Sequence, residues 1–373
     1  MKKFCFLLLA IILSVALAFP VNAKNEGISL SAKSAVLIEA ESGAILYKKN
    51  AHLRLPMAST TKIMTALVAV EHGDLDKSVK IDPRACGIEG SSIYMTDGEE
   101  LTLRSLLYAL MLASANDAAA AIAYEIGGSI EGFAALMNEK AKELGLKSTS
   151  FKNPHGLYED GHYTSAYDLA IITAKALQNE EFLGICSTKQ ITIPMSDGGQ
   201  RYLTNHNKML RLYDGAIGVK TGFTKKSGRC LVSAAERNGL TLIAVTLNAP
   251  DDWNDHKKLL DFGYGNYQRV LIANKGDFTA SLDVMGGDYP GVVVANSREM
   301  SAFIPKDNTD LTYKIEVTRP IFAPIKSGTI LGEVKYYYKD KLVASSPLVV
   351  LHQLDAKESK IGLITRIKNL LFK

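Results

Sequence analysis

The hydrophobic pattern divides the chain into stretches of different period. Lys2 and Lys3 precede an apolar run, Phe4 to Phe19, broken only by Ser14. The run is shorter than the roughly 20 apolar residues that span a bilayer. Pro20-Val21-Asn22-Ala23 follows with a small-x-small pattern, so residues 1–23 are expected to be a cleaved export leader rather than an uncleaved anchor. From Ser34 to Lys48 apolar alternation on either side of Glu41-Ser42-Gly43 predicts a β-hairpin. Residues 56–72 switch to helical spacing and stop at Gly73, a plausible C-cap. Further helices are predicted over Leu101–Leu112, Asp117–Ile126, Glu131–Leu144, Ala166–Gln178 and around His256–Gly263, and strands over Gly215–Lys220, Cys230–Glu236 and Leu240–Leu247. Strands at both ends of a helical block predict an α/β (α+β) domain with a mainly antiparallel sheet and a helical subdomain.

Beyond that region the period changes. From Lys275 to Leu351 almost nothing is helical, and Tyr336–Tyr338, Lys339-Asp340-Lys341 and Leu342–Ala344 read as a hairpin with a polar turn. A boundary is expected near 268–275, giving a first domain over 24–270 and a small all-β sandwich over 271–352. The last stretch, 355–373, is amphipathic. At about 100° per residue, Ile361, Leu363, Ile364, Ile367, Leu370, Leu371 and Phe372 gather on one broad side. Arg366, Asn369 and Lys373 lie opposite, and Lys368 must snorkel from the apolar side. The pattern suits a helix lying on an anionic membrane surface, the alternative being a terminal helix docked on the protein's own core.

Composition narrows the class. With 373 residues, 47% of them hydrophobic and 22% charged, the chain is an ordinary folded protein and neither disordered nor collagen-like. A net charge of +4 argues against nucleic acid as a partner. That charge is concentrated at the ends: residues 24–354 hold 36 basic and 37 acidic side chains. Once Cys5 leaves with the leader, Cys86, Cys186 and Cys230 remain, an odd number without short spacing and so not a disulfide framework. There is no CxxC or HExxH, and the seven histidines show no strong ligand spacing, so neither a metal nor another cofactor is expected. His155 and His162, beside Asn-Pro and Asp-Gly, read as turn residues, and Asp168 as a helix cap or brace.

Three short words carry chemistry. Ser59-Thr60-Thr61-Lys62 places a serine and a lysine on one helix face, with Pro56 just ahead to start the helix. In a first helical turn the dipole would favour negative charge on Ser59, and a buried Lys62 near another cation could lose its proton and act as a base. Ser114-Ala115-Asn116 interrupts two apolar helices. Lys220-Thr221-Gly222 ends an apolar strand. Each alone has a bland reading: an exposed cap serine with a solvated lysine, an interhelical turn, and a strand end.

Together, in this order and in these contexts, they form the penicilloyl-serine transferase signature. The surrounding words sharpen it: Pro56 to Thr65, Ala113 to Ala118, Asn153-Pro154-His155-Gly156-Leu157 and Val219 to Thr224. Over nearly the whole mature chain the sequence resembles the low-molecular-mass penicillin-binding proteins that are D-alanyl-D-alanine carboxypeptidases of peptidase family S11. The resemblance implies a penicillin-binding, serine β-lactamase-like transpeptidase fold. It implies Ser59 as nucleophile, Lys62 as general base, Ser114 as proton relay with Lys220, and Asn116 as a hydrogen-bonding partner of the substrate amide. Lys220 and Thr221 would hold the terminal carboxylate, Gly222 would line the site, and the backbone N–H groups of Ser59 and Phe223 would form the oxyanion hole. Phe223 departs from the histidine common at that position. Some members anchor the carboxylate with an arginine from a later segment, yet between Asn248 and Asp261 there is no arginine, only Lys257 and Lys258.

The implied partners are peptidoglycan stem peptides ending in D-Ala-D-Ala, β-lactams as covalent inhibitors, and an anionic membrane surface on the outer face of the cytoplasmic membrane. A β-lactamase on the same fold is disfavoured because no ExxLN stands between Asn153 and Asp168. A non-catalytic peptidoglycan-binding protein is disfavoured by the intact Ser59, Lys62 and Lys220.

Overall fold

Apolar strands far apart in sequence share one sheet, and the helices between them cover its inner face. The computed structural model describes residues 28–357 except 197, 308 and 309, together with Ile367, Lys368, Leu370 and Leu371. The predicted leader and most of the predicted tail helix lie outside the described residues. The chain divides into two compact units between Gly263 and Tyr264.

In chain order the first unit holds β1 (Ser34–Glu39), β2 (Ile45–Lys49), a 3-10 turn (Ala58–Thr61), α1 (Lys62–His72), β3 (Ser78–Lys80), β4 (Glu100–Thr102), α2 (Leu103–Leu112), α3 (Asn116–Gly127), α4 (Ile130–Glu143), α5 (Ala166–Leu177) and α6 (Glu180–Ser187). There follow β5 (Gln190–Pro194), β6 (Gln200–Thr204), α7 (Met209–Leu212), β7 (Ala216–Thr224), β8 (Gly228–Arg237), β9 (Leu240–Leu247) and α8 (Asp252–Asn266). The main sheet is antiparallel, ordered β2-β1-β9-β8-β7, so β7 is an edge strand. Helix α5 packs on β1 and β9, and α6 on β7. Helix α8 covers the opposite face, where Gly263 approaches Leu242 and Leu37. Helix α1 touches α2, α3, α4, α5 and α6, with Ile63, Met64, Leu67 and Val68 buried, and this central place is what buries its first residue, Lys62.

Local details differ from the sequence pattern. The single helix expected over 56–72 begins as a 3-10 turn, with Ala58 at its start in a left-handed conformation (φ 47). Ser59 therefore sits ahead of the α-helix rather than in its first turn, where the helix dipole acts on it less. Gly73 is the C-cap, in extended rather than left-handed conformation. Leu101 belongs to β4, which pairs with β3, and α2 starts at Leu103 with the Thr102 hydroxyl accepting from the Ser105 N–H at 3.1 Å.

The second unit contains β10 (Tyr267–Ala273), β11 (Thr279–Asp283), β12 (Gly291–Asn296), β13 (Met300–Pro305), β14 (Leu311–Val317), β15 (Ile330–Tyr338) and β16 (Lys341–Val350). The expected sandwich takes the form of a five-stranded antiparallel sheet, β11-β12-β16-β15-β14, and a two-stranded ribbon, β10-β13. Its β15–β16 hairpin closes through Lys339 and Asp340, both at positive φ (46 and 63), the backbone a two-residue turn demands. Asp355 to Lys357, placed in the tail by the sequence, still pair with this unit through Asp288 and Gly286.

Candidate active site

The Ser-x-x-Lys spacing works as expected despite the 3-10 entry: Lys62 Nζ lies 3.1 Å from Ser59 Oγ. Lys62 is wholly buried, and two other acceptors fix its amine, Asn116 Oδ1 and the His155 carbonyl, each at 2.6 Å. A neutral amine has two hydrogens and one lone pair. Donation to Asn116 and His155 leaves that lone pair for the Ser59 hydroxyl proton.

The His155 carbonyl is delivered by the loop 153–157. Asn153 Oδ1 accepts from Gly156 N–H at 2.8 Å, and its amide donates to the Leu157 carbonyl at 3.1 Å. Thr65 Oγ1 donates to the Pro154 carbonyl at 2.6 Å, tying the loop to α1. Gly156 must be glycine: its φ is 89, and a Cβ there would lie 2.0 Å from the Ala58 carbonyl oxygen, one residue from the serine. His162 braces the same turn. Its Nδ1 accepts from Lys152 N–H at 3.0 Å, which leaves Nε2–H to donate to Thr61 Oγ1 at 2.8 Å.

The second word forms the opposite wall. Ser114 is buried at φ 61, a left-handed conformation that costs energy for a non-glycine residue. No hydrogen bond joins it to either lysine among the described residues. Asn116, expected to meet the substrate amide, bonds Lys62 through Oδ1 and the Glu89 carbonyl through Nδ2, which has a second N–H to donate. In this geometry it helps to fix the Lys62 amine. Asp117, fully buried at the start of α3, accepts from Ser92 Oγ (2.6 Å), Ile93 N–H (3.1 Å) and Met95 N–H (3.3 Å), pinning the loop beside the site.

The third word lies along β7. Gly222 lets this strand close on the turn that carries Ser59: a Cβ would stand 3.0 Å from Ser59 N and 3.1 Å from the Met57 carbonyl. Lys220 is buried, with its amine donating to the Thr221 carbonyl at 3.2 Å. Thr221 is half-buried and Phe223 exposed. In the β7–β8 register Phe223 faces Arg229 and Thr221 faces Leu231, so Thr221, Phe223 and Arg229 share one face. Arg229 Nε and Nη2 reach Asp252 Oδ1 at 3.0 and 2.9 Å, and its guanidinium lies 5.7 Å from the centre of the Trp253 ring.

Burial dominates the electrostatics. It pulls the Lys62 amine well below its ordinary value, the Lys220 charge lowers it further, and Asp117 opposes both. Burial alone brings Lys220 to about 7. Burial likewise lowers His155 to about 3 and His162 to about 4, so both are neutral imidazoles. No cluster of three or more His, Cys, Asp or Glu suited to a metal occurs among the described residues.

Sequence reasoning singled out neither the His155 carbonyl and Asp117, which lie around the Lys62 amine, nor Arg229, which lies on the face of Thr221 and Phe223. A backbone carbonyl leaves no signature of its own, although the Asn-Pro-His-Gly word marked its loop. Asp117 was visible as an acid opening an apolar helix. The segment expected to carry an arginine lies beyond β9, whereas Arg229 sits on β8.

Comparisons with known proteins agree over both units. Residues 20–251 match the family described as D-alanyl-D-alanine carboxypeptidase, peptidase family S11, and residues 267–356 match the C-terminal domain of penicillin-binding protein 5. The chain is 36% identical to the D-alanyl-D-alanine carboxypeptidase DacF of Bacillus subtilis, over 99% of this chain and 97% of that one. It is 30% identical to DacC of Escherichia coli, over 91% and 88%. Among solved structures, penicillin-binding protein 5 from Haemophilus influenzae superimposes with a TM-score of 0.72 at 29% identity, covering 88% of this chain and 99% of that one.

Proposed function

The chain belongs to the D-alanyl-D-alanine carboxypeptidase family of serine peptidases, and we propose that its reaction runs through Ser59, Lys62 and Lys220. The activity is a penicillin-binding, serine-type hydrolysis of peptidoglycan stem peptides ending in D-Ala-D-Ala. The observation that carries the residue assignment is the Lys62 amine, wholly buried, 3.1 Å from Ser59 Oγ, its other two contacts taken by fixed acceptors.

In this reading the neutral Lys62 amine takes the Ser59 proton as Oγ attacks the carbonyl carbon between the two D-alanines. The oxyanion forms against the Ser59 and Phe223 N–H groups, whose fixed direction needs no reorganisation as charge develops. The proton passes by way of Ser114 and Lys220 to the leaving nitrogen. The C–N bond breaks, D-alanine departs, and water then hydrolyses the Ser59 ester. An exposed edge strand suits the substrate, because β7 can pair with an extended peptide. Lys220 and Thr221 read the terminal carboxylate, with Arg229, steadied by Asp252, as the added cation on the face that carries Thr221 and Phe223. A β-lactam presents the same carboxylate and amide and acylates the same oxygen.

Residues 1–23 export the enzyme, and the amphipathic segment within 355–373 rests on the anionic outer face of the cytoplasmic membrane. Support comes from the apolar and basic faces of that segment, and from Ile367, Leu370 and Leu371, which are helical and exposed. No described helix is long and apolar enough to cross a membrane.

Ser59→Ala tests the core of the reading. D-Alanine release from a diacyl-L-Lys-D-Ala-D-Ala peptide and covalent labelling by a fluorescent penicillin should both vanish. Labelling that persists in this variant rejects Ser59 as the nucleophile.

A further inference from the structure

In the second unit, three segments meet where the chain runs on to its C-terminal tail. Met285 N–H donates to the Ile321 carbonyl at 2.9 Å, and Ala323 N–H returns a bond to the Met285 carbonyl at 3.0 Å, setting Met285 beside Phe322. Ile325 and Leu354 exchange two bonds of 2.8 Å, and Lys357 N–H donates to the Gly286 carbonyl at 2.8 Å. Beneath this knot Val284, Ile321, Ile325 and Leu354 are buried and belong to the unit's core. Above it, large apolar side chains face solvent: Met285 is 60% exposed, Phe322 61%, Ile330 63% and Tyr289 69%. Phe322 and Ile330 also line a cavity of about 900 Å³ with Pro320, Pro324 and Leu331.

Exposed apolar residues grouped this way mark a contact surface, whereas scattered ones need no explanation. The choice of occupant follows from chain continuity. The last paired residue, Lys357, sits on this rim, and only three residues separate it from the apolar and basic segment that starts at Ile361. Whatever surface that segment lies on is therefore within reach of the rim. Charge beside the rim is mixed, with Arg319, Lys326 and Lys357 against Asp283, Asp288 and Asp355, so attraction to anionic lipid comes from the tail and the rim adds apolar contact. We propose that the rim formed by Met285, Tyr289, Phe322 and Ile330 is a second lipid-contacting surface, inserting into the bilayer interface beside the tail. It rests on the reading of the tail as a membrane helix, and two attachment points would hold the β unit in one orientation where a tail alone would let it swivel.

The test uses vesicles of phosphatidylglycerol and phosphatidylethanolamine and the full mature chain. Met285→Ser with Phe322→Ser should weaken vesicle binding by about tenfold or more, since each removes a side chain of useful hydrophobic worth, while D-alanine release from soluble peptide stays unchanged. A chain ending at Lys357 should keep weak binding that the double substitution abolishes. Phe322→Trp should show an emission blue shift with vesicles, and quenching by brominated acyl chains, above the Trp253 background of the unsubstituted chain. Unchanged binding of the double variant, with no emission shift in the Phe322→Trp variant, overturns the proposal, even if tail removal abolishes binding and so upholds the tail. Full binding by the chain ending at Lys357 overturns the tail reading while the rim survives. A double variant that loses self-association instead of vesicle binding assigns the rim to a second copy and overturns the lipid assignment.

Discussion

Strand β9 of the first unit, Leu240–Leu247, is buried at every position except the half-buried Thr241, whereas β13 of the second, Met300–Pro305, alternates buried Met300, Ala302 and Ile304 with half-buried neighbours. The first sheet is covered on both faces, whereas the β10–β13 ribbon of the second unit has one well-covered face. The buried polar groups differ in the same sense. The first unit buries Lys62, Lys220, Asp117, Asp168, Asp252 and Asp255. In the second, the buried polar residues among those described are Asn296 and Ser346. A lysine can be held neutral at its task only where a thick, close-packed core excludes water and fixed dipoles replace it. The first unit has that core, and the second has less cover.

Removing the buried amine of Lys62, the base in the proposed reaction, should break this contrast most severely. Lys62→Ala should lower both acylation by penicillin and D-alanine release by about three orders of magnitude or more, the usual worth of a positioned general base. Stopped-flow acylation measures it, and a loss under tenfold would reassign the base. Next come the carboxylate contacts. Thr221→Val and Arg229→Gln each remove a hydrogen bond to a charged group, worth about 1.5–3 kcal/mol. Turnover of the free-acid peptide should fall by roughly ten- to a hundredfold in each, with little further loss on the matched peptide amide. Equal losses on acid and amide would sink the carboxylate assignment.

Lys220→Met sharpens the comparison through pH. Lys220 is held near 7 in the folded chain against an ordinary value of 10.5, so the folded state binds fewer protons than the unfolded state between those limits. Burying its charge weighs fully on stability below about pH 7, and the burden shrinks as pH rises toward 10.5. The Met variant should therefore melt higher than the parent, with the widest gap in the acid range, while losing peptide turnover. Removing the Lys220 charge also lets Lys62 rise, so the acid limb of residual penicillin acylation should move to higher pH. A melting gap that is flat with pH would show Lys220 to be solvated. The smallest effect on catalysis belongs to the second unit. Leu348→Ala, in its core, should cost about 2–5 kcal/mol of that unit's stability yet leave soluble-peptide kcat/KM unchanged below its melting range. A matching loss of activity would show the two units to be coupled.

Much of this was legible in sequence because it is local. Hydrophobic period marked the helices that became α1 to α5 and the strands β7 to β9, since each element's own spacing decides which side it can bury. The words around Ser59, Ser114 and Lys220 named the chemistry because the resemblance attaches to short, contiguous motifs. Even the turn at Lys339-Asp340 declared itself between two β-branched and aromatic runs.

Contacts between residues remote in sequence were decided by the tertiary structure. The His155 carbonyl reaches Lys62 across ninety-three positions, and Asn116 reaches it across fifty-four. Neither could be read from its neighbours, and the contact between the Asn116 carboxamide and the Lys62 amine appears only in the fold. Arg229 carries no motif, and its place beside Phe223 and Asp252 follows from the β7–β8 register and the entry of α8. The 3-10 entry at Ala58 arises where loop 153–157 and strand β7 crowd the same turn. Sequence determined which groups could react and which segments could fold, since propensity and period act over a few residues. The pKa, orientation and partners of those groups depend on what excludes water and what lies opposite, and those are properties of packing.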